Sequence, residues 1–191
     1  MKIVEISTFD DFLSIVAARP QSEVVMKKQT GFTLIELIVV IVILAILAAA
    51  ALPKYAALQT QARIAKLNGA IGAMQGAAAL AHGSCLATQG ATPCTAAAFT
   101  LSMEGTGVTL INQYPTANAA GIIAAAGINL NDPNQQWAIT GGGTNGGDQV
   151  TLEVRGGVNE AACSVVYTAA QLGAGNAIIA PIFSTPNTNG C

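Results

Sequence analysis

Residues equipped for chemistry are sparse in this chain. It has one histidine, His82, four cysteines, and a carboxylate, Glu36, placed inside an apolar run. That run is FTLIELIVVIVILAILAAAAL, from Phe32 to Leu52, interrupted only by Thr33 and Glu36. A carboxylate within a membrane-length segment costs about 2.5–3.5 kcal/mol on insertion scales, which marks Glu36 as a functional candidate. The cysteines are Cys85, Cys94, Cys163 and Cys191. They make no C-x-x-C pair, and a lone histidine completes no zinc set. An even count in a chain with an export-type N-terminus favours disulfides. Three pairings are possible; Cys85 with Cys94 and Cys163 with Cys191 is preferred, because each closes a loop within one apparent unit. Free buried thiols are the alternative.

The remaining polar clusters point to no reaction. His82 lies where the helical pattern fades, and no Ser or Cys sits in a nucleophile elbow, so a helix-end or solvent role is expected. Asn129, Asn131, Asp132 and Asn134 form an oxygen-rich cluster, but EF-hand spacing and a bidentate glutamate are missing and Pro133 signals a turn. The glycines from Gly141 to Gly147 are not followed by the Lys-Ser/Thr of a phosphate loop. Asn-x-Ser/Thr does not occur, and Ser184-Thr185-Pro186 reads as a surface loop. No catalytic residue, metal site or cofactor is expected.

Composition narrows the class. The 191 residues suit one domain with a sizeable core. Charged residues make up 9%, against about a quarter in ordinary soluble domains. A net charge of -2 gives no basic footprint for nucleic acid. Aromatics at 5% are too few for a base-stacking platform.

The elements that must position Glu36 and the cysteines follow from periodicity. Residues 1–25 carry a weak helical pattern around Phe9, Phe12, Leu13 and Val16 and do not resemble a signal sequence. Met26-Lys27-Lys28-Gln29-Thr30-Gly31 is a basic hexapeptide; either Met26 is the start or residues 1–31 are a leader outside the mature fold. Phe32 to Leu52 is long enough as a helix, roughly 30 Å, to cross a bilayer. Lys27 and Lys28 put its start on the cytoplasmic side. A plain signal anchor, or a signal peptide cut near Ala48-Ala49-Ala50, are the competing readings; an h-region of about 7–15 residues without a carboxylate fits poorly.

Residues 32–53 thus form a transmembrane half, ended by Pro53, which removes a backbone donor and should loosen the helix. Residues 54–82 continue at helical spacing through Tyr55, Leu58, Ala62, Ala65, Leu67, Ile71, Met74 and Leu80, ending near His82-Gly83. Gly69, Gly72 and Gly76 weaken that helix and suggest close approach to a sheet or another helix. Residues 83–191 form the head. Ser84 to Gly105 reads as a cysteine-pinned loop. Strands are expected at Val108–Ile111, Gln136–Thr140, Val150–Val154 and Cys163–Tyr167, with a long-tipped hairpin over Gly141–Asp148. Thr116 to Ala126 reads as a short Ala-rich helix, and the tail from Gly173 as irregular.

The residues KKQTG-FTLIEL, Lys27 to Leu37, with the apolar run behind them resemble the type IV prepilin signature. The resemblance covers Met26 to about Ala57; beyond, it is architectural. Tyr114-Pro115 with Gly121-Ile122 is also similar to pilins of the mannose-sensitive haemagglutinin type. The resemblance implies an α+β pilin fold, a long helix packed on a small antiparallel sheet with a disulfide-closed C-terminal region. It implies cleavage after Gly31 by a membrane peptidase and N-methylation of Phe32. It also implies assembly through Glu36 and a helix-disrupting role for Pro53. The expected partners are the prepilin peptidase, the assembly machinery, the inner membrane and further copies of the chain in an extracellular pilus. A type II secretion pseudopilin and a membrane-anchored binding module that never polymerises are the alternatives.

Overall fold

A computed structural model describes residues 31–88, 94, 99–134 and 136–191. The expected leader, with Met26, Lys27 and Lys28, lies outside the described residues apart from Gly31. The chain divides into two compact units, Met1–Ile46 and Leu47–Cys191.

Helix α1 spans Leu34–Thr88, 55 residues, and helical structure runs through Pro53 without a break. Pro53 has no N–H for the carbonyl one turn back, at Ala49, so that acceptor loses its helical partner. In the first unit every large apolar side chain of α1 is exposed. A helix apolar on all sides is the pattern of a membrane span, and by length and composition α1 can cross one.

In the second unit α1 buries one stripe: Leu67, Ala70, Met74, Ala77, Ala78, Ala81 and Cys85. Steps of three and four residues keep these side chains on one face. The helix does not stop at His82-Gly83; it continues to Thr88 because Cys85 extends the stripe by one more turn. Tyr55, Leu58 and Leu80, part of the same periodic pattern in the sequence, stay exposed.

The stripe packs on antiparallel sheets, giving an α+β fold. One sheet pairs β1 (Phe99–Met103), β2 (Thr106–Ile111) and β3 (Tyr114–Pro115) in that order. The larger sheet has the order β4 (Trp137–Gly141), β5 (Gln149–Val154), β6 (Ser164–Thr168) and β9 (Ile182–Phe183). A two-stranded ribbon joins β7 (Gln171–Leu172) to β8 (Ile178–Ile179). On β5, Val150, Leu152 and Val154 alternate inward and join Leu67, Met74, Val165 and Tyr167 in the main core. That is the period-two signature of a half-buried strand. A smaller core gathers Ala81, Cys85, Cys94, Val108 and Leu110.

Three local differences from the sequence pattern stand out. β1 falls in the stretch expected to be loop; Phe99, Leu101 and Met103 alternate toward the smaller core. The stretch expected as a short Ala-rich helix is helical only over residues 119–125, as a π-helical turn, Ala119–Ile123, with non-helical backbone at Gly121, running into a brief α turn. The tail expected to be irregular supplies β8 and β9, and Asn187 bridges to Ser164.

Thr116 fixes the π turn. Its hydroxyl lies 3.1 Å from the Asn118 carboxamide oxygen, which accepts the Gly121 N–H at 2.8 Å. A Cβ on Gly121 would collide with the Thr116 backbone and hydroxyl, so only glycine fits. The Asn118 amide donates onward to the Gly143 carbonyl at 3.1 Å, tying the turn to the β4–β5 hairpin. From β6, the buried Tyr167 hydroxyl donates to the Pro115 carbonyl at 2.6 Å, linking the two larger sheets.

Candidate processing and assembly site

Gly31, Phe32 and Thr33 are non-helical and exposed, immediately before the first turn of α1. Phe32 projects its ring into the surroundings at 91% exposure. Thr33 is the N-cap. Its backbone N–H and its hydroxyl both donate to Glu36 Oε2, at 2.9 and 2.8 Å, and the Glu36 N–H reaches back to the Thr33 hydroxyl at 3.4 Å. This is a capping box, with the carboxylate three residues into the helix reciprocating the cap. Its sequence signature is the spacing Thr-x-x-Glu, present in FTLIEL. The carboxylate therefore has a structural partner within its own chain. Both bonds converge on Oε2, and a carboxylate offers about four acceptor positions, so Oε1 has capacity for a donor from outside.

The other expected site residues belong to the second unit. Pro53 lies inside α1 in the second unit. Cys85 is bonded to Cys94 and Cys163 to Cys191. The second bond joins the residue preceding β6 to the chain beyond β9, closing the C-terminal region. Arg63 of α1 donates to the Cys191 carbonyl at 2.8 Å, fastening that region to the helix. Among the described residues Gly69, Gly72 and Gly76 meet no sheet: a Cβ at each would find nothing within 4 Å.

His82 is a correction to the helix-end reading. Its ring stacks on Tyr114 at 4.3 Å and 3°, and its Nδ1 is buried without a partner among the described residues. Lys66 places its ammonium 4.4 Å from the Trp137 ring centroid. Burial lowers the Lys66 pKa below the ordinary lysine value, with the Asp132 carboxylate opposing the shift. Asn129 and Asp132 use their side-chain oxygens to accept the N–H groups of Asn131 and Asn134, at 3.0 and 2.8 Å. These are Asx turns. Among the described residues no three His, Cys, Asp or Glu side chains gather as a metal site.

Residues 26–52 match the family model described as the prokaryotic N-terminal methylation motif. Neither the curated proteins nor the solved structures contain a match to this chain. The matched segment holds the Gly31–Phe32 bond, the capping box and the exposed apolar helix through Leu52. The motif supports a pilin-like or pseudopilin protein and, with the apolar helix, fits a membrane-anchored precursor. Residues 26–52 of this chain are a type IV prepilin-like signal.

Proposed function

We propose that this chain is a structural subunit of a type IV pilus, held in the inner membrane as a precursor and polymerised into an extracellular filament for adhesion, surface attachment or motility. The observation that carries the reading is Glu36, a carboxylate in an apolar helix directly after a prepilin-type junction. Prepilin peptidase cuts between Gly31 and Phe32, and Phe32 is then N-methylated. Cleavage creates an α-amino group whose ordinary pKa near 8 keeps it positively charged at neutral pH. In a stacked array that amine meets the Glu36 carboxylate of an adjacent copy, and a slipped register leaves a charge unpaired. The chain is not an enzyme in this reading; its partners are the assembly machinery and further copies joined through α1, with Pro53 easing the helix during assembly.

The two disulfides suit a head exposed to force and proteolysis outside the cell, which favours a pilus over a type II secretion pseudopilin. The capping box makes the test discriminating. Glu36→Gln preserves the cap, since Gln serves at that position, and removes only the charge. Glu36→Ala removes both. Electron microscopy of sheared surface material should show filaments from the parent chain and none from either variant, with the precursor still in the membrane. Normal filaments from Glu36→Gln would refute the charge pairing. A non-polymerising anchored module would tolerate both substitutions.

A further inference from the structure

Three asparagines in this chain are followed by glycine: Asn68, Asn145 and Asn189. That dipeptide is prone to a self-reaction, because glycine has no Cβ to shield its own amide nitrogen. The nitrogen gives up its proton to hydroxide from solvent and attacks the asparagine Cγ. A nitrogen–Cγ bond closes a succinimide ring, the Cγ–Nδ2 bond breaks, and ammonia leaves with a proton taken from water. Water then adds to one of the two ring carbonyls and reopens the ring, giving aspartate or isoaspartate. The reaction needs an attacking nitrogen that no acceptor holds.

The fold treats the three steps differently. Asn68-Gly69 lies inside α1, where each N–H is bonded to the carbonyl one turn back. At Asn189-Gly190 the Gly190 N–H donates to the Ala162 carbonyl at 2.9 Å, and Gly190 is buried. Asn145-Gly146 stands at the tip of the β4–β5 hairpin, with both residues exposed. The amides around it are taken. Asn145 donates to Asp148 Oδ2 at 2.8 Å, Gly147 to the Ala169 carbonyl at 3.2 Å, and Asp148 to the Asn145 carbonyl at 3.3 Å. Among the described residues no acceptor takes the Gly146 N–H.

Asn145 and Asn189 share the tripeptide Thr-Asn-Gly, so their local chemistry matches and the fold separates them. We propose that Asn145 is a self-modification site, converting to aspartate and isoaspartate in the folded chain while Asn68 and Asn189 persist. This goes beyond the filament reading and holds whether or not the chain polymerises. Conversion changes the head in two ways. The Asp148 carboxylate already accepts the Asn145 N–H, so a new carboxylate puts two like charges in one turn. Isoaspartate also lengthens the backbone beside Gly146, where even a Cβ would meet Asn112 Nδ2 at 2.8 Å and the Ala170 carbonyl at 2.9 Å. The tip must shift to take the extra methylene.

The test holds the detergent-solubilised full chain, disulfides intact, in mildly alkaline buffer and samples it over weeks. A parallel sample is reduced and unfolded in guanidinium chloride. Peptic digestion at acid pH and fragment mass spectra then locate each gain of one mass unit. Unfolded, Asn145 and Asn189 should react at similar rates. Folded, Asn145 should outpace both Asn189 and Asn68 at least tenfold; equal folded rates overturn the proposal. Aspartate at position 145 without isoaspartate also overturns it, since a succinimide opens at either carbonyl. Asn145→Ser removes the reacting carboxamide from an exposed position and should abolish the gain in that peptide. A gain of the same size in the variant sinks the assignment.

Discussion

Tyr167→Phe removes one oxygen from the core and nothing else. The ring stays in place against Phe183, 5.1 Å away between centroids, while the 2.6 Å hydrogen bond to Pro115 is lost. Tyr167 is 1% exposed, so the Pro115 carbonyl is left without its donor. A net hydrogen bond is worth about 1 kcal/mol, and an orphaned buried acceptor costs about 1–3 kcal/mol. The expected loss at pH 7 is therefore about 1–3 kcal/mol. Alkaline pH supplies a second measurement. Burial raises the Tyr167 pKa well above its ordinary value near 10, and the neighbouring Tyr114 adds to the shift. An unfolded tyrosine ionises near pH 10 while the folded one keeps its proton. The hydroxyl's contribution is thus fully present below pH 10. Above it the unfolded state binds fewer protons, and stability falls by up to about 1.4 kcal/mol per pH unit. The variant lacks that loss, so the gap between parent and variant should narrow from pH 10 to 11. Urea unfolding of the detergent-solubilised full chain, disulfides intact, can be followed by Trp137, the single tryptophan, which is buried. An equal gap at pH 7 and pH 11, or a loss below about 0.5 kcal/mol at pH 7, would refute the reasoning.

Two further perturbations follow from the packing. Gly121→Ala drives a methyl into Thr116 and should cost at least the 1–3 kcal/mol typical of overpacking, seen as a lower melting temperature; an unchanged melt would show that the turn can open. The Cys163–Cys191 bond spans 28 residues and the Cys85–Cys94 bond 9, so chain entropy assigns them about 3.5 and 2.5 kcal/mol. Paired serine replacements should lower the urea midpoint in that order, and the reverse order would contradict an entropic origin.

The apolar segment and the carboxylate within it were legible because both are local. A run of large aliphatic side chains needs no partner from the rest of the chain to declare a membrane-length helix, and a charge inside it stands out. The same short stretch also encoded the capping box, through Thr33 and Glu36 three residues apart, since capping is decided within one turn. The β4–β5 hairpin was similarly readable, with alternating Val150, Leu152 and Val154 after a glycine-rich turn.

Tertiary structure decided what depends on distant partners. Periodicity placed Tyr55, Leu58 and Leu80 with Leu67 and Met74, yet only the turns facing the sheets bury their side chains. The helix outruns His82-Gly83 because Cys85 meets Cys94, Val108 and Leu110, a contact no helix propensity contains. β1 and β9 form because β2 and β6 offer free edges. His82 became a stacking partner of Tyr114 only when β3 came alongside α1. Sequence by itself determined the prepilin-like signal and its membrane-length helix, whose rules are those of one turn and one bilayer. Packing alone decided which helix face is core and which glycines stay bare.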